Sequence, residues 1–134
     1  MNMDRQQQLN WYYEQLFLAA TEVHAALGRC LPASTYRECL AHELELMQRK
    51  VQRNVSVPIL YREHKVETGV TVELIIDGLV AVSVLSVENM TPFNDQQMHT
   101  QLRVSGLPLG IVVNFSVPSI RGAMHRILNP NPRV

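Results

Sequence analysis

The sequence predicts an α/β protein with the order α-α-β-β-β-α-β, in which helices flank a mixed central sheet. Three observations support this. Apolar residues follow a helical period in the first fifty positions and a period of two from Asn54 onward. Asp77-Gly78 separates two apolar runs, a strong hairpin signal. Thr91-Pro92 then opens a third helix that leads to a continuous apolar run, residues 109–115, as expected for a crossover to an interior strand.

Two helices precede the strands. Residues 9–27 place apolar side chains at three- and four-residue steps, and Gly28 is a plausible C-cap. Ser34 or Thr35 can cap a second helix that continues to about Val51. Its apolar face carries Tyr36, Leu40, Leu44 and Met47.

The strands follow from alternation. Residues 55–61 alternate apolar and other side chains, and Pro58 suggests an edge position because proline cannot donate to a ladder. Residues 62–69 are polar and predict a turn, whereas residues 70–76 and 79–87 form the two arms of the hairpin.

The C-terminal third predicts one more strand and one more helix. Gly106 ends the third helix, residues 109–115 form the interior strand, and residues 119–128 form a last helix. We expect a single domain over residues 1–134, with tails at about 1–8 and 129–134.

The charge balance limits the choice of partner. The 12 basic and 12 acidic residues cancel, which argues against strong sequence-independent binding of nucleic acid and leaves such binding a weak alternative. No secretory signal is visible, and Glu73 and Asp77 interrupt the most apolar window, so no membrane span is expected. Cys30 and Cys39 have no metal-ligand or disulfide spacing, which favours reduced thiols in the cytoplasm.

Several short strings resemble one family. In chain order they are Glu22-Val-His-Ala-Ala-Leu-Gly28, Tyr36-Arg-Glu-Cys-Leu40, Val87-Glu-Asn-Met-Thr-Pro92, Gln97, Gly110-Ile-Val-Val-Asn-Phe115 and Val117-Pro118. Together they resemble the GxxExxY proteins, a bacterial group in the PD-(D/E)XK nuclease-like superfamily. The resemblance covers about residues 15–120 and implies a restriction-endonuclease-like αβββαβ core, which agrees with the order of elements given above.

The resemblance implies magnesium-dependent nuclease chemistry, in which an Asp, a Glu and a Lys two residues later share one end of two strands. Oxygen ligands suit magnesium, and a Lys at that spacing lies on the same strand face as the Glu. In this chain Glu73 stands at the Asp position, Ser83 at the Glu position and Leu85 at the Lys position. Thr71 replaces the family's Arg, and Cys30 and Ala33 replace two residues of its naming motif.

Other residues keep the family pattern. Tyr36 remains from the naming motif, Gln97 matches a helical Gln that faces the family's site, and Glu38 could approach Glu73 in space. Because the acid and the base are both replaced, the first hypothesis is a catalytically degenerate binding or assembly module, a pseudoenzyme without a cofactor. Its expected partner is a second copy, bound through the N-terminal helix with Trp11, Tyr12, Tyr13 and Phe17.

Two alternatives remain open at this point. One is a magnesium- or manganese-dependent nuclease with relocated residues, using Glu73, Glu38 and either Lys65 or His64. In that case Glu73 would be the metal ligand. The other alternative is nucleic-acid binding without cleavage.

Overall fold

The computed structural model describes residues 2–134. Its elements are α1 (Arg5–Leu27), α2 (Ala33–Leu46), β1 (Val51–Tyr61), β2 (His64–Ile76), β3 (Val80–Leu85), α3 (Pro92–Ser105), β4 (Leu109–Asn114) and β5 (Met124–Leu128). None of the helices in this range combines the length and the apolarity that a membrane span needs.

The strands form one mixed sheet between two helical layers. Their order is β1-β2-β3-β4-β5, and only β3 and β4, which α3 connects, run parallel. One face of the sheet packs against α1 and α2, and the other packs against α3 through Met98 and Leu102. The predicted α/β class and the mixed sheet are confirmed.

Local sequence signals place the ends of the central elements. Asp77 and Gly78 have φ angles of 51° and 66°, as a tight hairpin turn of this hand requires. Thr91 caps α3 in a capping box with Asn94, and Gly106 ends the helix with a left-handed φ of 78°. Every residue of β4 is buried, as expected for an interior strand.

The predicted last helix, residues 119–128, is wrong. Met124–Leu128 forms β5, antiparallel to β4, and Gly122 adopts a left-handed φ of 86° just before it. Met124 and Ile127 are both buried, and their spacing of three mimics a helical face. In the sheet they point to opposite sides, where each meets a different helical layer.

Other boundaries also differ from the prediction. Helix α1 starts at Arg5, inside the expected N-terminal tail, and α2 begins after Pro32 without a side-chain cap. Helix α2 ends at Leu46, because Lys50 is drawn into hydrogen bonds with the Asp77 turn and β1 begins directly after it. The C-terminal residues have no helix or strand, but the Arg133 backbone N–H donates to the Gly106 carbonyl at 2.8 Å.

The expected turn over residues 62–69 is mostly strand. Only Arg62 and Glu63 turn, with φ angles of 49° and 69°, and β2 begins at His64. The sequence hides this turn because positive φ at both positions normally favours Asn or Gly.

A two-stranded extension, which we call the ribbon, comprises residues 55–61 of β1 and 64–72 of β2. These residues pair with one another, whereas β2 pairs with β3 only from Leu74 to Ile76. The register shifts at Pro58, and β1 is an edge strand, as predicted. Gly69 lies opposite this shift, where a Cβ atom would stand 2.8 Å from the Ile59 backbone nitrogen, so the bend requires glycine.

Candidate functional site

The site predicted from sequence lies where β2 and β3 separate. Their pairing ends at Leu74 and Val82, and Glu73 is the first residue of β2 beyond that pair. Its carboxylate lies between the two strands at this point, which we call the fork. The Val84 backbone N–H donates to it at 3.1 Å and the Ser83 hydroxyl donates to it at 2.9 Å. Glu73 therefore replaces the ladder partner that Val84 would otherwise lack.

A guanidinium group completes the fork. Arg37 of α2 donates from a terminal nitrogen to the Glu73 carboxylate at 3.3 Å, and the two side chains are 25% and 24% exposed. At such partial exposure an ion pair is stronger than one at the open surface. The carboxylate thus has three donors from within the chain, and its charge is balanced locally.

The two β3 positions next to the fork carry no charge. Ser83 and Leu85 alternate with buried Val82 and Val84, so they face the α3 side of the sheet. Leu85 packs against the apolar cluster that also contains Met98 of α3. An apolar, packed side chain therefore lies at the position where the resemblance places the family's Lys.

Gln97 lies in a groove whose lining residues do not include Glu73. The groove has a volume of about 420 Å³ and runs between α3 and the base of the ribbon. It is lined by uncharged residues: Val70, Thr71, Phe93, Gln96, Gln97, Thr100 and Gln101. The Oε1 atom of Gln101 is buried there and has no hydrogen-bond partner.

Comparison with known proteins settles the family. A family model described as the PD-(D/E)XK nuclease superfamily matches residues 10–127, nearly the whole chain. The chain belongs to this superfamily. Among curated proteins and among solved structures no match is found.

A magnesium site of the PD-(D/E)XK type does not fit the residues at the fork. Such a site needs several hard oxygen ligands. Here Glu73 is the one carboxylate, it is already paired with Arg37, and the Ser83 hydroxyl directs its proton toward it. Residues 2–134 contain no group of three or more His, Cys, Asp or Glu side chains placed to hold a metal ion.

Two candidates from α2, Tyr36 and Glu38, are engaged elsewhere. The fully buried Tyr36 donates its hydroxyl to the Gly28 carbonyl at 2.7 Å and stacks on Phe115 with ring centroids 4.6 Å apart. The Tyr36 hydroxyl therefore holds the connection between α1 and α2 against the start of α2. Glu38 pairs with Arg53 of β1 at 3.2 Å, so the expected pair of Glu38 with Glu73 is not formed.

His64 and Lys65 lie at the other end of β2. The eight residues from Lys65 to Glu73 correspond to roughly 25 Å of extended strand. Lys65 instead lies 3.6 Å from the carboxylate of Glu67, and both side chains are exposed. The structure does not bring these two residues to the fork of this PD-(D/E)XK domain.

Sequence reasoning missed Arg37, the residue that balances the charge of Glu73. A signal was available in the helical period. Arg37 lies four residues before the fully buried Ala41 and seven before the fully buried Leu44, on the inward stripe of α2. An arginine at such a position needs a partner, and the nearest strands supply few acids.

Asp77 forms a second polar centre, which the sequence marked only as a turn. It accepts hydrogen bonds from the Tyr12 hydroxyl at 2.7 Å, from the Lys50 backbone N–H at 2.7 Å and from Arg49 at 3.0 Å. Burial alone would raise the pKa of Asp77, but these hydrogen bonds and the Arg49 charge outweigh it and lower the pKa below 3.8. Burial and the contact with Asp77 raise the pKa of Tyr12 to about 12.

Proposed function

We propose that this PD-(D/E)XK domain is catalytically silent and acts as a binding or assembly module, as a degenerate member of the GxxExxY group. The observation that carries the proposal is the state of Glu73. Its carboxylate is held by Arg37, Ser83 and the Val84 N–H, all from the same chain. A cation entering the fork would have to displace the Arg37 guanidinium and break the hydrogen bond from Ser83.

The missing groups at Ser83 and Leu85 support the same conclusion. A neutral hydroxyl is a weak ligand for magnesium, and an aliphatic side chain can neither stabilise a phosphate nor move a proton. Loss of a positioned acid or base costs about two to four orders of magnitude in rate. Loss of a ligand and a base together therefore favours a protein without turnover.

The basic residues favour a protein partner over nucleic acid. Arg37, Arg49 and Arg53 form ion pairs within the chain. Arg121 and Arg126 lie over the rings of Phe17 and Tyr13. Strong binding to phosphates needs free cations on one face, and these five are already engaged. The free thiols of Cys30 and Cys39 are compatible with the cytoplasmic location that we propose.

The test uses a variant in which the family's three residues are restored. Wild type and the triple variant Glu73→Asp, Ser83→Glu, Leu85→Lys are titrated with manganese and with magnesium in a calorimeter and then assayed for cleavage of DNA and RNA. We expect no specific heat and no cleavage from wild type, and saturable manganese binding from the triple variant. Leu60→Lys, which adds a charge at an exposed ribbon position, is the matched control and should resemble wild type.

One-to-one manganese binding by wild type, lost in Glu73→Ala and accompanied by cleavage, would overturn the proposal. It would establish a working metal site at the fork despite Ser83 and Leu85.

A further inference from the structure

One face of the ribbon is apolar from its base to the last pair at the tip, where Tyr61 lies opposite His64. On β1 this face carries Val55, Val57, Ile59 and Tyr61, and the residues paired with them are Val72, Val70, Val66 and His64. Paired residues share a face in an antiparallel ladder. The face begins inside the protein, because Val55, Val57, Val70 and Val72 pack in the cluster beneath α3.

Burial of this face decreases toward the tip. Val72 is fully buried and Val57 is half-buried, whereas Val66 is 38% exposed and Tyr61 is 63% exposed. Helix α3 covers only the base of this face. A two-stranded hairpin is marginally stable in water without a further layer, so an uncovered apolar face on an eleven-residue strand indicates a missing partner.

The groove at the base of the ribbon has the complementary features. Phe93 forms one wall and is 63% exposed, and Val70 of the ribbon forms another. An aromatic side chain matches such a groove, because a large flat ring can cover the exposed ring of Phe93 and the side chain of Val70.

We propose that the ribbon face packs against the same face of a second copy of this chain, with Tyr61 of each copy in the groove of the other. A two-fold axis across the ribbons brings each tip to the opposite base, so the contact closes on itself. The inference rests on the assembly role proposed above and names its partner.

The size and the charge of the surface agree with a modest dimer. At 63% exposure, Tyr61 and Phe93 offer roughly 100–150 Å² each, toward the roughly 800 Å² per partner of a standard interface. Ile59, Val57, Val66 and Val70 add to this area. The tip carries Arg62, Glu63, Lys65 and Glu67, which cancel, so two ribbons do not repel one another.

The N-terminal helix, the face expected from sequence, offers less free apolar surface. Trp11, Tyr13 and Phe17 each have a guanidinium group over the ring, as Tyr61 has from Arg62, but they are half-buried whereas Tyr61 is 63% exposed. Leu18, which is 54% exposed, is the outward apolar residue in the middle of that helix. It supplies a matched control for the ribbon.

Sedimentation velocity of the full chain over a range of concentrations tests the proposal. Wild type should show twice the 15.3 kDa chain mass. Tyr61→Asp should weaken self-association about 30-fold or more, because it removes a large aromatic contact and places a charge in an apolar groove. Leu18→Glu should sediment like wild type. A monomeric wild type, a dimer insensitive to Tyr61→Asp, or a dimer that Leu18→Glu dissociates would each overturn the proposal.

Cross-linking gives a second measurement that does not depend on the fold tolerating an aspartate. With Cys30 and Cys39 changed to Ser, Tyr61→Cys together with Gln97→Cys should form a disulfide-linked dimer on mild oxidation. Leu18→Cys with Gln97→Cys should not, and equal cross-linking of the two pairs would overturn the arrangement. Neither measurement uses metal or nucleic acid, so failure here leaves the silent-site proposal standing.

Discussion

The fork and the ribbon face differ in how completely the chain covers them. At the fork, each carboxylate oxygen of Glu73 has a donor, and Arg37 balances the charge. On the ribbon face, Tyr61 is 63% exposed and Val66 is 38% exposed, and the Arg62 guanidinium lies over the Tyr61 ring, 5.5 Å from its centroid. In the adjoining groove, Phe93 is also 63% exposed.

The groups at the fork already pair with one another, whereas the apolar surface of the ribbon remains exposed. Groups that satisfy one another gain little from an added ligand, because binding would first have to break existing contacts. Exposed apolar area gains from any partner that covers it. We therefore expect the fork to stabilise the domain and the ribbon to carry the surface that a partner binds.

Glu73→Ala should have the largest effect on folding, because it leaves the Arg37 charge and the Val84 N–H without partners. We expect the free energy of unfolding to fall by about 2 kcal/mol, measured by urea denaturation. Glu73→Gln keeps an acceptor oxygen and should lose about half of that. Phe93→Ala, in the groove, should change the stability of the monomer by less than about 0.5 kcal/mol. If the two alanine variants lose equal stability, the comparison fails.

Asp77→Asn should have the next largest effect, because it removes the charge paired with Arg49. Since the pKa of Asp77 is lowered in the fold, its stabilisation is complete above about pH 4 and is lost as the pH falls below that value. We expect the variant to lose about 1–2 kcal/mol at neutral pH and to show a shallower decline in acid. Thermal unfolding at a series of pH values measures both. An unchanged acid limb would contradict the expectation.

Tyr12 gives the opposite pH dependence at the same centre. Its pKa is raised from 10.0 to about 12, so the folded state favours the neutral phenol. Its stabilisation is therefore complete below pH 10 and is lost as the pH rises toward 12. Tyr12→Phe should flatten the alkaline limb of the same unfolding series, and an alkaline limb equal to that of wild type would contradict the expectation.

Val66→Thr should have the smallest effect on folding and thereby tests the ribbon alone. The two side chains have similar shape and both favour strands, so the stability of the monomer should change by less than about 0.5 kcal/mol. Self-association should weaken several-fold, because a hydroxyl then lies in the apolar contact. Equal sedimentation of variant and wild type would remove Val66 from the interface.

Much of the fold follows from local patterns, and the error over residues 119–128 shows where local patterns fail. Alternation and the Asp77-Gly78 turn predict the central hairpin, and Thr91 and Gly106 mark the ends of α3. The pattern over residues 119–128 predicts a helix because the spacing of Met124 and Ile127 fits either structure. Pairing with β4 selects the strand, and that partner is absent from any local window.

The sequence by itself determined the fold class, the superfamily and the absence of charge at Ser83 and Leu85, because each depends on residue types at short spacings. The tertiary structure decided that Glu73 pairs with Arg37, 36 positions away, and that Glu38 pairs with Arg53 and does not approach Glu73. It also decided that residues 64–69 continue the ribbon beyond the part that α3 covers. The physical reason is that partners for charges and layers for apolar faces come from distant parts of the chain.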